Sequence, residues 1–389
     1  MRYILHCLRF ATFMLISILL SGCTSTQQVV IDPATFLYDQ GFNGFETIQI
    51  ETEEQVFGLD LAAKNFVRDS IRHVAKSSDQ MKLFVHDIFD HSKFNLLYKG
   101  DANTTASETF GNRAANCLSM SIMTYSLARE AGFGVKFQAV KIPEYWTRRA
   151  GYSLLNGHIN LRMVPRPAQS VISFTNLGYQ VDFDPQNGLK HFPKNFVSKE
   201  YVLSMFYNNK GADALLSKNF TKAYAYFRAA LQLTPEFDSA WVNLGFLYRL
   251  NNFYEQAENA YLQALVIDQN SLTAWENLGL LYQFSDQPDK AKEILAKVEF
   301  RRKNNPYYHL NLGERELENH NLQYALQHYR KALSLDKTQH EIYFGLAKTY
   351  YQLGELERSQ RYLKQAKRKS RNKQEQNKYQ GKLDLLSRL

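Results

Sequence analysis

The stretch AWVNLGFLYRLNNFYEQAENAYLQAL (residues 240–265) carries the pattern that decides the fold of more than a third of this chain. Large and small apolar side chains recur in it at fixed spacing: Trp241, Leu244, Gly245, Tyr248, Ala257, Tyr261 and Ala264. Spacings of three and four residues place these side chains on one face of each of two helices. Small residues allow the two helices to approach closely, and the aromatic rings fill the space between neighbouring pairs. The stretch therefore predicts a pair of antiparallel helices.

The same pattern returns at intervals of about 34 residues along the C-terminal part of the chain. The next copy downstream has Trp275, Leu278, Gly279, Tyr282 and Ala291, and the copy upstream has Tyr207, Gly211, Ala223, Phe227, Ala230 and Pro235. Two further copies have Leu312, Gly313, Ala325, Tyr329 and Ala332, then Tyr343, Leu346, Ala347, Tyr350 and Ala366. A fixed period of this length is typical of stacked helical repeats, in which each unit buries its apolar face against its neighbours.

These five units resemble tetratricopeptide repeats. The resemblance implies an all-α superhelix over residues 204–371, followed by a capping helix over 372–389. It also implies a concave groove that binds a protein or peptide partner. Four positions depart from the usual pattern without breaking its register: Lys210, Ala214, Glu316 and Val298.

The N-terminus has the features of a targeting segment. Two arginines precede the apolar run FATFMLISILL (residues 10–20), which is too short to span a bilayer comfortably. The run ends in LSGC, which resembles the lipobox of bacterial lipoproteins. That resemblance implies a signal peptide over residues 1–22, a lipid on Cys23, a polar tether over 23–32 and a place in the outer membrane facing the periplasm. An ordinary signal peptide or a short anchor helix is the alternative.

A chain of 389 residues is expected to form two domains. The pattern of residues 33–200 predicts that the first of them is an α+β domain. Residues 58–75 and 79–94 have helical apolar spacing. Residues 135–142, 158–164, 170–175 and 179–184 alternate in the manner of strands, and a turn separates the last two.

Cys117 is the residue that suggests chemistry. Processing of the leader would remove Cys7 and block Cys23, so the exported chain would keep one unpaired thiol, which is unusual in an oxidising compartment. Cys117 begins the predicted helix CLSMSIMTYSLAREAGF, which Gly132 ends. The positive end of the helix dipole favours the thiolate, the nucleophilic form of the side chain.

A thiol nucleophile needs a base and an orienting group. His158 lies on a predicted strand, sharing one face with Asn160 and Arg162, and offers the base. Asp182 and Asp184 follow on the last predicted strand, and either can orient the imidazole.

The stretches NCLSMS, GHINL and VDFDP give residues 100–186 a resemblance to the transglutaminase-like superfamily, whose papain-like core has cysteine, histidine and aspartate in that order. The resemblance implies that Cys117 attacks an amide or peptide carbonyl and that His158 acts as the base. It favours Asp182 over Asp184 as the orienting residue. Ile159 stands where the wider superfamily has an aromatic residue, and no tryptophan marks an oxyanion hole. The backbone N–H of Cys117, with Asn116 beside it, is a candidate for that hole.

The sequence is compatible with two functions. One is a cysteine protease, amidase or transamidase that acts through a thioester, with hydrolysis favoured over cross-linking in water. The other is an inactive repeat scaffold, an assembly factor for an envelope complex. Residues 141–156, KIPEYWTRRAGYSLLN, are either a specificity loop or an ordinary connection.

The sequence indicates no cofactor and no metal site, since only one cysteine is available and no histidine pair has ligand spacing. The net charge is +9, and residues 355–389 hold eleven basic against four acidic residues. A solvated helical face explains that excess, with anionic lipid or an acidic partner as the alternatives. No nucleic-acid-binding motif is present, so nucleic acid is not an expected partner.

Overall fold

Antiparallel helical pairs form the C-terminal half of this computed structural model, which describes residues 32–71, 77–89, 94, 96–165, 178–183, 192–370 and 373–388. The signal peptide, Cys7, Cys23, the predicted strand over 170–175 and Asp184 lie outside the described residues. Pro33–Leu389 form one unit by their contacts. Among the helices of the described residues, none is both long enough and apolar enough to cross a membrane.

Ten helices of the described chain make up the predicted pairs, and one more follows them. The pairs are α6 Lys199–Leu216 with α7 Phe220–Leu233, α8 Asp238–Leu250 with α9 Tyr254–Ile267, α10 Leu272–Phe284 with α11 Pro288–Arg302, α12 Pro306–Glu318 with α13 Leu322–Leu335, and α14 His340–Gln352 with α15 Leu356–Lys369. The final helix, α16 Lys373–Leu386, packs against α15 through Tyr379 and Leu383.

Close approach within the pairs explains the glycines of the pattern. A Cβ on Gly245 would lie 2.6 Å from a ring carbon of Tyr261, and one on Gly211 would lie 2.6 Å from the ring of Phe227. Both rings are fully buried, so they leave no space for even a methyl group. The repeat spacing therefore records which helix faces touch.

The N-terminal part contains five further described α-helices, α1 Glu53–Phe57, α2 Leu61–Ile71, α3 Ser77–Phe89, α4 Ala106–Asn112 and α5 Cys117–Glu130. Its main sheet has four antiparallel strands in the order β7 Tyr179–Val181, β6 His158–Val164, β3 Gly134–Val140 and β8 Lys194–Val197. A short parallel pair joins β1 Leu97–Tyr98 to β2 Ala114–Ala115. Helix α5 packs on β3 and β6, so the N-terminal part is α+β.

Two further short strands of the described residues form a separate hairpin. Strands β4 Trp146–Arg149 and β5 Tyr152–Leu155 form an antiparallel hairpin, with a turn in which Ala150 and Gly151 both have positive φ. The sequence leaves this region open as a loop or a connection, and the structure makes it a β-hairpin that contacts the repeats.

Residues 33–57 also pack against the repeats. The ring of Phe42 stacks on that of Tyr224, with centroids 4.4 Å apart. Glu51 accepts a 2.7 Å hydrogen bond from the Tyr226 hydroxyl and pairs with Lys210 at 2.9 Å. Lys210 departs from the repeat pattern because its position faces this N-terminal segment.

Candidate functional site

Cys117 is the first residue of α5, so its predicted position at a helix start is confirmed. The side chain of Asn116 caps the helix by accepting a 2.9 Å hydrogen bond from the Ser119 N–H. The Ser119 hydroxyl in turn accepts a 2.9 Å hydrogen bond from the Thr104 N–H, which holds the preceding loop against the helix. Cys117 is a free thiol, and it is partly exposed.

His158 is the first residue of β6, one of the strands on which α5 packs. Its side chain is only 2% exposed, and its Nε2 lies 2.8 Å from Oδ1 of Asp182. The strand register explains this distance: Val181 of β7 pairs with Leu161 of β6, so the next residue of the chain, Asp182, lies beside the start of β6. The side chain of Cys117 also lies close enough to His158 to raise its pKa by hydrogen bonding and charge. The structure thus brings together the three residues that the sequence separates by 41 and 24 positions.

The ionisation of His158 follows from these neighbours. Burial alone lowers the pKa of His158, but the hydrogen bonds and charges of Asp182 and Cys117 outweigh burial and raise it to about 10. The imidazole therefore holds its proton at neutral pH, when it can donate that proton to a leaving group.

Asn160 is a site residue to which the sequence gives no role. It is completely buried, and its Nδ2 donates a 2.9 Å hydrogen bond to Oδ2 of Asp182. Gln180 donates to the same oxygen at 3.4 Å. Both oxygens of the carboxylate are therefore held, one by His158 and one by amides. The sequence signal was the shared strand face of residues 158 and 160.

Asn116 has a different role from the one that its position suggests. Its amide nitrogen donates a short hydrogen bond to the side-chain oxygen of Asn103, while its own oxygen caps α5. The nitrogen and the oxygen of the Asn116 amide therefore both form hydrogen bonds within the protein, so this side chain is not available to a substrate. As the first residue of the helix, Cys117 keeps a backbone N–H that no helical carbonyl accepts, so this group stays the candidate oxyanion donor.

Asn103 extends the connection from the thiol helix to the repeats. Its amide nitrogen donates to Oδ2 of Asp213 on α6, and its oxygen also accepts from Asn209 at 3.2 Å. The other oxygen of Asp213 accepts from the guanidinium of Arg149 on the hairpin. A polar chain of four side chains therefore runs from the cap of α5 to the hairpin by way of the first repeat.

This arrangement suits nucleophilic acyl chemistry. A thiol, an imidazole and a carboxylate are within hydrogen-bonding reach in the order that such chemistry uses. In the described ranges, no group of three or more histidine, cysteine or acidic side chains could hold a metal ion.

Comparisons with known proteins concern the repeats. Models of the tetratricopeptide repeat match residues 238–271, 272–299 and 316–383. A stretch of 65 residues is 28% identical to an uncharacterised protein of Methanocaldococcus jannaschii, covering 17% of this chain and 76% of that protein.

Two solved structures of tetratricopeptide-repeat proteins are similar at low identity. One, from Thermus thermophilus, is 16% identical over 48% of this chain and 100% of its own, with a TM-score of 0.31. Another, from Parabacteroides merdae, is 17% identical over 47% of this chain and 71% of its own, with a TM-score of 0.32. The repeat models and the helical pairs agree, and the C-terminal part of this chain is a tetratricopeptide-repeat superhelix.

Proposed function

We propose that this chain is a lipid-anchored envelope protein that binds a protein partner through its repeats. Repeats of this kind form extended surfaces on which polypeptide segments bind. The observation that carries the proposal is the hairpin β4–β5, because four of its side chains contact α6, α8 and α12. A surface that holds one polypeptide segment has the shape and polarity to hold another.

Site-specific photo-cross-linking in intact cells tests this role. A cross-linker at Asn311 of α12, on the side that faces the hairpin, is expected to capture a defined protein. The matched control is Tyr324 on α13, which is 63% exposed but lies on the second helix of the pair. Equal capture at both positions, or none at Asn311, would contradict binding through the first helices.

The lipid anchor and outer-membrane location are tested separately. Replacing Cys23 by alanine should abolish metabolic labelling with a fatty acid and move the protein out of the outer-membrane fraction. Replacing Cys7, which also lies in the leader, is the control and should change neither result.

A second candidate function, amide or peptide hydrolysis, is favoured by the contacts among Cys117, His158 and Asp182. We propose for residues 33–200 a transglutaminase-like fold, in which His158 already holds the proton and the thiolate of Cys117 attacks the carbonyl carbon of the substrate. The C–N bond then breaks, and His158 returns the proton to the leaving amine. Water, losing a proton to His158, hydrolyses the thioester and releases a carboxylic acid and the free thiol. If an amine replaces water, the outcome is transamidation.

Alkylation by iodoacetamide at neutral pH tests this chemistry. Cys117 in the wild type is expected to react at least about tenfold faster than an ordinary thiol, because the imidazole stabilises the thiolate. The substitution His158→Ala should remove that excess, whereas the control His86→Ala, at a side chain that is 67% exposed, should not. A slow reaction in the wild type would leave only the scaffold.

A further inference from the structure

The hairpin depends on the repeats for its order. We define the bridging hairpin as residues 144–155 and the first-helix face as the surface of α6, α8, α10 and α12 that it contacts. Among the strands that the structure describes, these two pair only with each other, in a sheet separate from the main one. An isolated two-stranded hairpin is marginally stable in water, so the first-helix face must supply most of what holds it.

Arginines of the bridging hairpin meet acidic side chains of the first-helix face. Arg148 donates through Nε to Oε2 of Glu318 at 3.1 Å and also pairs with it through Nη2. Arg149 pairs with Asp213. These carboxylates lie on α12 and α6, at opposite ends of the contact, so the face is complementary to a segment with two adjacent arginines.

Aromatic side chains complete the match. Trp146 lies edge-on to Tyr308 with ring centroids 6.2 Å apart, and Tyr152 lies edge-on to Phe246 at 5.6 Å. The first-helix face therefore offers aromatic side chains on α12 and α8 in addition to its two acids. This combination recognises arginine and aromatic groups together.

The base and the tip of the bridging hairpin are held differently. At the base, Glu144 forms two 2.8 Å hydrogen bonds with Arg302, whose side chain is 1% exposed. At the tip, both partners of the Arg149–Asp213 pair are about one-third exposed, and Glu318 is 42% exposed although its partner Arg148 is only 13% exposed. Exposed ion pairs contribute little because water competes for both partners. The tip can thus leave the face while the base stays attached.

We propose that the first-helix face is the binding site for a protein segment bearing arginine and aromatic side chains, and that the tip of the bridging hairpin occupies this site until such a segment displaces it. The inference rests on the proposed partner-binding role of the repeats and names the chemistry of the partner. Displacement would also free Asp213 from Arg149, and Asp213 connects through Asn103 to the cap of the Cys117 helix. Partner binding would in this way change the hydrogen bonds at the start of the Cys117 helix.

Binding of a labelled peptide to the full chain in detergent tests the proposal. The probe is a synthetic copy of residues 143–156. The vacated variant carries Trp146→Ser, Arg148→Ser, Arg149→Ser and Tyr152→Ser. The matched control carries Thr147→Ser and Leu155→Ser, at two exposed positions of the same hairpin.

We expect the vacated variant to bind the probe at least tenfold more tightly than the wild type or the control does. Adding Asp213→Lys and Glu318→Lys to the vacated variant should abolish that gain. Equal affinity in the wild type and the vacated variant, or affinity that survives the charge reversals, would overturn the proposal.

Hydrogen exchange of the wild type gives an independent measurement if the vacated variant does not fold. The backbone amides of β4 and β5 should exchange faster than those of β3 and β6, because the tip opens locally. Equal protection would show a fixed interface and overturn the proposal. Photo-cross-linking from Asn311 separates the two ideas: a captured partner without probe binding refutes only this inference, whereas probe binding without any captured partner refutes only the proposed function.

Discussion

Replacing Asp182 by asparagine should lower the pKa of His158 and leave the fold intact. The carboxylate oxygen lies 2.8 Å from Nε2, and only 24% of the Asp182 side chain is exposed. Opposite charges about 4 Å apart attract by roughly 4 kcal/mol at an effective dielectric constant near 20. Since about 1.4 kcal/mol changes a pKa by one, losing the charge lowers the pKa by about 2 to 3 when the asparagine keeps a hydrogen bond. The pKa of His158, about 10 in the wild type, should then approach neutrality.

Nuclear magnetic resonance of histidine-labelled protein measures this change directly. The ring-carbon signal of His158, assigned with His158→Gln, should titrate near pH 10 in the wild type and clearly lower in Asp182→Asn. The control Asp384→Asn removes an exposed carboxylate from α16 and should leave the titration unchanged. If His158 titrates at the same pH in the wild type and Asp182→Asn, the carboxylate does not set its ionisation and the orienting role of Asp182 is wrong.

Three other predictions concern stability. The pKa of His158 in the folded protein, about 10, lies above its ordinary value of 6.5, so its contribution to the free energy of unfolding is complete below pH 6.5 and is lost as the pH rises towards 10. Measured by urea titration, the free energy of unfolding of the wild type should fall across this window more than that of His158→Gln. Arg302→Met should lower the unfolding free energy by about 3 to 5 kcal/mol, measured by urea titration, because it leaves two glutamates without their buried partner; a change below about 1 kcal/mol would contradict the contact. Gly245→Ala should lower the free energy of unfolding by about 1 to 3 kcal/mol, because the new Cβ would lie 2.6 Å from the buried Tyr261 ring. The control Gly381→Ala on α16, where a Cβ would meet no atom within 4 Å, should be neutral or stabilising. Equal effects of the two substitutions would refute the steric argument.

The repeats could be predicted from the sequence because their contacts are local and periodic. Each helix pair buries the same positions against the same neighbours, so Gly245 and Gly313 face Tyr261 and Tyr329 in equivalent ways. A single pair gives the pattern, and its recurrence confirms the register. Even Lys210, which departs from the pattern, does so where Glu51 of the N-terminal segment supplies a charge partner.

The candidate site was predictable only in its principal residues. Cys117 stands at the start of an apolar helical run, and His158 stands on an alternating strand, so both have local signals. Asn160 shares the strand face of His158, but its importance comes from the β6–β7 register that places Asp182 beside it. Pairing between strands depends on residues far apart in the chain, and a single sequence does not reveal it.

The bridging hairpin was not predictable for a related reason. Strands of four residues with a mixed pattern carry little signal, and their order comes from residues 60 to 170 positions away, such as Asp213 and Glu318. Arg148 donates hydrogen bonds to Gly151 and Ser153 of its own hairpin, but its acidic partner Glu318 lies 170 positions away in the sequence. What decides the conformation of these strands is the first-helix face, which forms only when the repeats fold.

The position of the bridging hairpin in the chain argues that the repeats and the thiol site work as one unit. The hairpin connects β3 to β6, and His158 pairs with Val140 at the point where both strands leave the sheet. Because Glu144 is fixed by the buried Arg302, the repeats hold one end of the connection that ends at the imidazole. Asp213 of the repeats accepts a hydrogen bond from Asn103, and Asn103 accepts one from Asn116 at the cap of the Cys117 helix. Cys117 and His158 are thus each connected to the repeats by a separate route, so a partner that rearranges the first-helix face is expected to affect both residues of the proposed site.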